Sequence, residues 1–549
     1  MGKAPYRVLY SNDTSNILTC QSPFNPRPGA QPDPETGKRT YRPSPFTAEM
    51  LEASVDETAG VGINAHLLQP GLGWVAWWKS AAYPFEEHIR FMKARTGMDP
   101  AADPLAAYTA AGGDMVDVFV SRCRRRGLAP FVSLRLNDSH GHEFVGMSRA
   151  DIPGWAWQAL SPTHVEHPEW RLSADLDDWG GRVLNWAIPE VRAHKFAFIR
   201  ELIEGYDLDG LELDFMRHCK FFRQEETTRE ERRAIMSSFV CEVRAVLERR
   251  EARDGRHRWL CVRIPAILST HDALGIDVGA FAEAGAEMFN LSHYFFTAQF
   301  GDHAAIRKLA PQAAMYLEMC HTTRAGPDVR DDMPPPKWRS GYDLFTYRRT
   351  TPTQFYTTAH LAYARGLDGV STFNFVYYRP HGIAARGPFN EPPFEIHRGC
   401  ADPAFVARQP QHYFLAPTWN DPPALRPLND PAQPWEARPI APGETATFTL
   451  DLAPPQEGWR QGGRLRIQAD ADLGNSRWTA RFNGADLAET ADRAEPYSNP
   501  YPPLLGTPAQ HRSWTVPASL LKDGINAIEI AMTAGDAPIK LVFLDLAVQ

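Results

Sequence analysis

Eight short apolar runs alternate with helix-like stretches between Arg7 and Tyr378, and that alternation constrains the fold more than any other feature of the chain. The runs span 7–13, 61–69, 128–138, 210–215, 259–266, 289–295, 313–320 and 369–375. A strand followed by a helix, repeated eight times, predicts an α/β chain folded as a (β/α)8 barrel. Barrels of this kind gather their chemistry at the C-terminal ends of the strands. Here those ends carry Asn12-Asp13, then Arg135 to His140, then Glu212 to His218, then Glu318 and Asn374. Such a density of polar side chains at strand exits predicts an active site.

At 549 residues and 43% hydrophobic, the chain can bury one large core and retain material for a second domain. A net charge of −8 leaves no basic field for nucleic acid, and no apolar run is long enough to span a bilayer. The opening residues lack the apolar core of a signal peptide. Location therefore stays open: cytoplasmic as written, exported if a leader has been removed. Seven scattered cysteines do not form a disulfide framework, and Cys261 and Cys320 read as buried thiols.

Several segments have their own signals. The polar, proline-rich stretch 25–45 reads as a loop over the barrel mouth. Trp74, Trp77 and Trp78 read as core more readily than as a sugar platform. The helix 114–126 ends in three arginines and a glycine, cations that suit a helix C-terminus. An insertion at 142–186 separates strands three and four, and Pro334-Pro335-Pro336 marks a stiff loop. The division expected is a catalytic barrel over 1–415, a proline-rich linker over 416–439 and an antiparallel β-sandwich over 440–549.

Strand three carries the sharpest signal. Alternation places Ser133, Arg135 and Asn137 on one face, and an arginine there must be paired or used. Asp138 and His140 follow at the exit, where an aspartate two residues from a histidine favours imidazolium and so a proton donor. Strand four repeats the pattern: Glu212 and Asp214 share a face, and with Arg217 they make an anion-binding corner. A buried Glu–Arg bridge is an equal reading for Glu212. Asp13 is either functional or a helix N-cap. Glu318, His293 and Asn374 are lesser candidates. His66, Glu212, Asp214, His218 and His293 have no spacing that supports a metal site, so no metal and no cofactor are expected.

Asp13, the string Arg135-x-Asn137-Asp138-x-His140 and the strand-four Glu-x-Asp-Phe-Met-Arg together resemble the sialidases of glycoside hydrolase family 156. They are similar more broadly to family-10-like bacterial glycosyl hydrolase barrels. The resemblance implies an inverting exo-sialidase with a histidine acid and an aspartate base. By position, His140 would protonate the leaving oxygen and Asp13 would activate water. Asp138 would support His140, and Arg135 with Arg217 would grip the sialic acid carboxylate. Asn137, Glu212, Asp214 and Asn374 would line the substrate. The partner expected is a sialoside or related carbohydrate, with a homodimer left open and neither nucleic acid nor membrane. The alternatives are a glycosidase for another acidic or neutral sugar, using Asp214 or Glu318, and a non-catalytic carbohydrate-binding barrel.

Overall fold

The computed structural model describes residues 3–20, 22–25, 45–175, 182–294, 296–328, 345–379, 391–416, 439–502 and 504–548. Most of the loop 25–45, Pro334-Pro335-Pro336 and nearly all of the linker 416–439 lie outside these residues. Eight parallel strands close into a barrel in the order β1-β10-β7-β6-β5-β4-β3-β2. They are β1 (Val8–Asp13), β2 (Ala65–Gln69), β3 (Ala129–Arg135), β4 (Gly210–Asp214), β5 (Trp259–Pro265), β6 (Met288–Ser292), β7 (Ala314–Cys320) and β10 (Gly369–Phe373). The expected α/β barrel is the observed one. Between β7 and β10 an antiparallel hairpin, β8 (Thr322–Asp328) and β9 (Phe345–Arg349), adds a small two-stranded sheet.

The surrounding helices follow their sequence signals. Met115–Arg126 is capped by the Asp114 side chain and stopped by Gly127 in the left-handed conformation, φ 71°. Pro352–Ala364 opens with a capping box between Thr351 and Gln354. Arg229–Asp254 has the same device in Thr228 and Glu231. No described helix is long and apolar enough to cross a membrane.

Two antiparallel sheets form the C-terminal part. One runs β11 (Gln411–Leu415), β20 (Ile539–Val548), β14 (Gly463–Ala469), β18 (His511–Val516), β17 (Ala488–Thr490), with β12 (Pro439–Ile440) also pairing β20. The other runs β13 (Thr445–Leu452), β19 (Gly524–Ala534), β15 (Arg477–Phe482), β16 (Ala485–Asp486). Burial alternates along β13, β15 and β19, and their inward residues pack with Trp514, Leu465 and Ile467 into one core. Asn483 and Gly484 take φ 51° and 83°, which lets two residues connect β15 to β16. Composition locates the proline-rich stretch, but strand pairing carries the sheet back to Gln411, ahead of it. All seven cysteines are free thiols, including buried Cys261 and Cys320.

Candidate active site

Parallel register sets up the site. Arg135, Asp214 and Arg263 stand opposite one another on β3, β4 and β5, and Asp13 stands opposite Gln69 on β1 and β2. All of these residues close or nearly close their strands, at the end where barrel chemistry collects.

Arg135 is the hub of the mouth. It is 1% exposed. Its Nη2 donates to Asp13 and to Gln69 Oε1 (2.9 Å), its Nε to Gln69 Oε1 (3.1 Å) and its Nη1 to Asp138 Oδ2 (2.9 Å). Asp13 is also the N-cap of the helix Thr14–Thr19: its Oδ1 accepts from the Ser15 backbone N–H at 2.9 Å and from Ser15 Oγ at 2.8 Å. The N-cap reading of Asp13 is the observed one, and the same carboxylate also pairs with Arg135. Burial alone would raise its pKa, but Arg135, the Ser15 N–H and Arg217 outweigh that and hold the carboxyl below its usual range.

Asp138 lies just past β3. Its Oδ1 accepts from His140 Nδ1 at 2.6 Å and from the His140 backbone N–H at 2.8 Å. Burial would raise this carboxyl too, yet the His140 ring and Arg135 hold it well below the carboxylate range. An ionised carboxylate only accepts, so Nδ1 of His140 carries a proton. Arg217 Nη2 lies 3.2 Å from His140 Nε2, and a guanidinium only donates, so Nε2 is the acceptor. That pattern, a donor on Nδ1 and an acceptor on Nε2, is the Nδ1–H arrangement of the ring. The Asp–His spacing did not reveal the arginine on the far nitrogen.

The histidine side chain is 22% exposed and Arg217 is 19% exposed, whereas Asp138 is closed off. Arg217 Nη1 donates to Tyr294 Oη at 2.9 Å, and its guanidinium stands 5.1 Å from the Tyr294 ring centre. Its approach to a carboxylate is 4.0 Å, to Asp138. His218 accepts the Ser139 backbone N–H at 3.0 Å, and burial pushes its pKa well down. Asp138, His140 and His218 gather ligand atoms within 4.8 Å, the one such trio among the described residues. Two guanidiniums, Arg135 on Asp138 and Arg217 on His140, supply the positive charge there, which makes the trio a poor cation site. The wider set imagined from sequence does not assemble: His66 bonds Thr58 at 3.1 Å, and His293 packs on Phe300 and His303.

A second hub lies inside the barrel. Arg263 Nη1 donates to both Asp214 oxygens (3.0 and 3.1 Å), its Nε and Nη2 to Glu318 (2.7 and 2.6 Å), and its Nη2 also to the Tyr294 carbonyl (2.9 Å). Glu212 accepts from Ser133 (2.6 Å), Asn290 (3.1 Å) and the Cys261 thiol (3.4 Å), and burial pushes it up to about 7. Burial raises Glu318 as well. The strand-four corner therefore separates: Glu212 and Asp214 serve the interior, and Arg217 turns to the mouth. Arg263, not Arg217, is the arginine of the buried acid cluster.

Asn137 spends its side chain on backbone, donating to Leu184 O (2.9 Å) and Lys220 O (2.7 Å) and accepting from Leu184 N (3.1 Å). It ties the 142–186 insertion to the β4 exit. Asn374 accepts from Asn16 Nδ2 at 3.1 Å. His218, Tyr294 and Asn374 all take positive φ, 56°, 69° and 51°, within the few residues that follow β4, β6 and β10. Strained non-glycine backbone concentrated at strand exits is typical of functional sites.

Sequence reasoning passed over Gln69, Arg263, Tyr294 and Lys195. Gln69 and Arg263 were legible as polar positions on apolar strands. Lys195 was not: it sits in the helix Pro189–Gly205, and burial pushes its amine well down. It donates to Arg135 O at 3.0 Å and to Gly73 O, over the Trp74 ring at 3.7 Å. Gly73 has φ 86°, and a Cβ there would meet Arg135 O at 2.5 Å, so only glycine fits this crossing. Trp74 itself is core, with its indole N–H on Asp138 O at 3.1 Å.

No protein-family model matches the chain, and no curated protein matches it. Among solved structures it is similar to the PgaB glycoside hydrolase domain from Bordetella bronchiseptica, at 9% identity over 68% of this chain and 94% of that one, TM-score 0.36. An alpha-L-fucosidase from Vibrio sp. strain EJY3 is 11% identical over 92% of this chain and 87% of that one, TM-score 0.34. A cycloisomaltooligosaccharide glucanotransferase from Paenibacillus sp. is 11% identical over 99% of this chain, TM-score 0.29, and the chain spans 57% of its length. At these scores the likenesses say nothing about chemistry.

Proposed function

We propose that the chain is a glycoside hydrolase and, more finely, an inverting exo-sialidase. The observation that carries this reading is Arg217, which reaches the exposed edge of the Asp138–His140 pair while its hydrogen bonds go to neutral groups. A guanidinium so placed suits a substrate whose reacting carbon bears a carboxylate. The carboxylates around it are engaged: Asp13 and Asp138 by Arg135, Asp214 and Glu318 by Arg263. That arrangement disfavours the usual pair of independent carboxyl groups and favours His140 as the proton donor. Asp13, ionised by its neighbours, receives the proton of the attacking water as the bond to the sugar carbon forms. His140 gives its proton to the departing oxygen. Arg135 is assigned a positioning role, because its donors are already committed to Asp13, Asp138 and Gln69; the carboxylate grip falls to Arg217.

Release of a fluorescent aglycone from a panel of sialosides, uronides and hexosides tests this directly. Sialosides should be turned over, and proton NMR of the first product should show the inverted anomer. His140→Ala should lose about 10²–10⁴-fold on a poor leaving group and far less on an activated aryl one. Preference for a uronide would overturn the sugar but not the reaction. Binding without release from any substrate would make the barrel a carbohydrate-binding protein.

A further inference from the structure

Arg217 occupies the nitrogen that His140 needs as an acid. Its Nη2 donates to His140 Nε2 at 3.2 Å while Nη1 is held by Tyr294 Oη at 2.9 Å. Tyr294 is itself fixed: its backbone has φ 69°, its N–H donates to Ser292 Oγ at 3.0 Å, and its carbonyl accepts from Arg263 at 2.9 Å. Arg263 in turn is anchored on Asp214 and Glu318. The interior network thus holds the mouth arginine Arg217 against the partly exposed His140.

We propose that Tyr294 is a positioning residue that parks Arg217 on His140, and that an anionic ligand exchanges this contact for its own carboxylate, so that binding loads a proton onto His140 Nε2. The inference rests on the reading of His140 as proton donor and Arg217 as carboxylate ligand. The proton balance is simple. Before binding, Arg217 is cationic, Asp138 anionic and His140 neutral. Afterwards the ligand carboxylate takes the Arg217 donors, Nε2 accepts one proton from solvent, and His140 is cationic against Asp138. The charge brought by the ligand is matched by the proton taken up.

The charged groups facing His140 are consistent with this exchange. From the β3 exit come Asp138 at 2.6 Å and Arg135 behind it, and from the β4 exit come Arg217 and the His218 ring at 5.0 Å. Asp13 reaches the group from β1 through Arg135, and buried Lys195 stands behind the β3 end. Of these, Arg217 is hydrogen-bonded to the histidine ring, so its departure changes the ring's affinity for a proton.

Titration calorimetry of the full chain with N-acetylneuraminic acid at pH 7.5, in buffers of different ionisation enthalpy, counts the protons. The pH lies above the ordinary histidine value of about 6.5, where uptake is visible. Wild type should take up close to one proton per acid bound, and the neutral methyl ester of the same acid should take up none. Tyr294→Phe, which removes only the parking hydroxyl, should fold normally and cut the uptake by half or more while the acid still binds. Acid binding with no proton taken up overturns the exchange and leaves the sialidase reading standing. An unchanged count in Tyr294→Phe removes Tyr294 from it. If the acid does not bind at all, both the exchange and the sialic acid reading fall, and turnover of the sialoside panel shows whether the hydrolase reading survives.

Discussion

Two arginines, Arg135 and Arg263, make nearly the same local structure and serve opposite ends. Each is buried in the barrel, each bridges two carboxylates, and each pins a neighbour: Gln69 for Arg135, the Tyr294 carbonyl for Arg263. The difference lies one contact further out. From Arg135 the path leads through Asp138 to a histidine that touches solvent. From Arg263 it leads through Glu318 to Asn290, and from there to Glu212 and Ser371, all buried. A buried ion pair by itself is weak evidence for function or for stability. What its carboxylates touch next decides which it serves.

The strongest way to break this comparison is Arg263→Leu. It leaves Asp214 and Glu318 in the barrel interior without their cation, which costs about 3–5 kcal/mol. Urea unfolding should show that loss in the midpoint, and a loss below about 1 kcal/mol would mean the interior hub is not structural. Arg135→Lys sharpens the contrast at the mouth. Lysine is a point charge and cannot hold Asp13, Asp138 and Gln69 in one plane. Losing one charge-assisted bond of about 1.5–3 kcal/mol in the reacting geometry predicts a fall in kcat of roughly 10–100-fold. The unfolding midpoint should move much less than in Arg263→Leu; an equal shift would make both hubs structural.

The smallest expected effect is the pH response of Glu212. Its pKa rises from 4.5 to about 7 on folding, mainly through burial. Between those values the folded protein holds a proton that the unfolded chain has released, so this contribution to stability is full at low pH and is lost as pH rises through 7. Glu212→Gln should flatten the melting temperature between pH 5 and 8, read by calorimetry. Asp13 and Asp138 act with the opposite sign and in a lower window, since their folded pKa values lie below 3.8 and their contribution is lost as pH falls through it. An unchanged slope in Glu212→Gln would show that its proton does not report on the interior hub.

Much of this was legible in the chain. The eight runs marked the eight barrel strands, since period-two apolar segments between helical ones have few other solutions. Asp13, Arg135, Asp138 and His140 were legible as a set because each sits at a strand exit, and the structure brings all four together. Glu212 and Asp214 were placed at the mouth by the same logic, yet Asp214 pairs with Arg263 on the neighbouring strand and Glu212 with Ser133, Asn290 and Cys261, partners that alternation within one strand does not reveal. Arg263 stands between Val262 and Ile264, a polar position on an apolar strand, and that was its visible signal.

The sequence by itself determined the barrel, its strand-exit inventory and the sandwich, because side-chain periodicity and turn residues act over a few neighbours. Only the tertiary structure decided which arginine meets which acid. Parallel register sets Arg135, Asp214 and Arg263 side by side, and the burial that follows forces every charge to find a partner across strands far apart in the chain. The setting of His140 is of the same kind: Asp138 stands on one nitrogen and Arg217, 77 residues away, on the other.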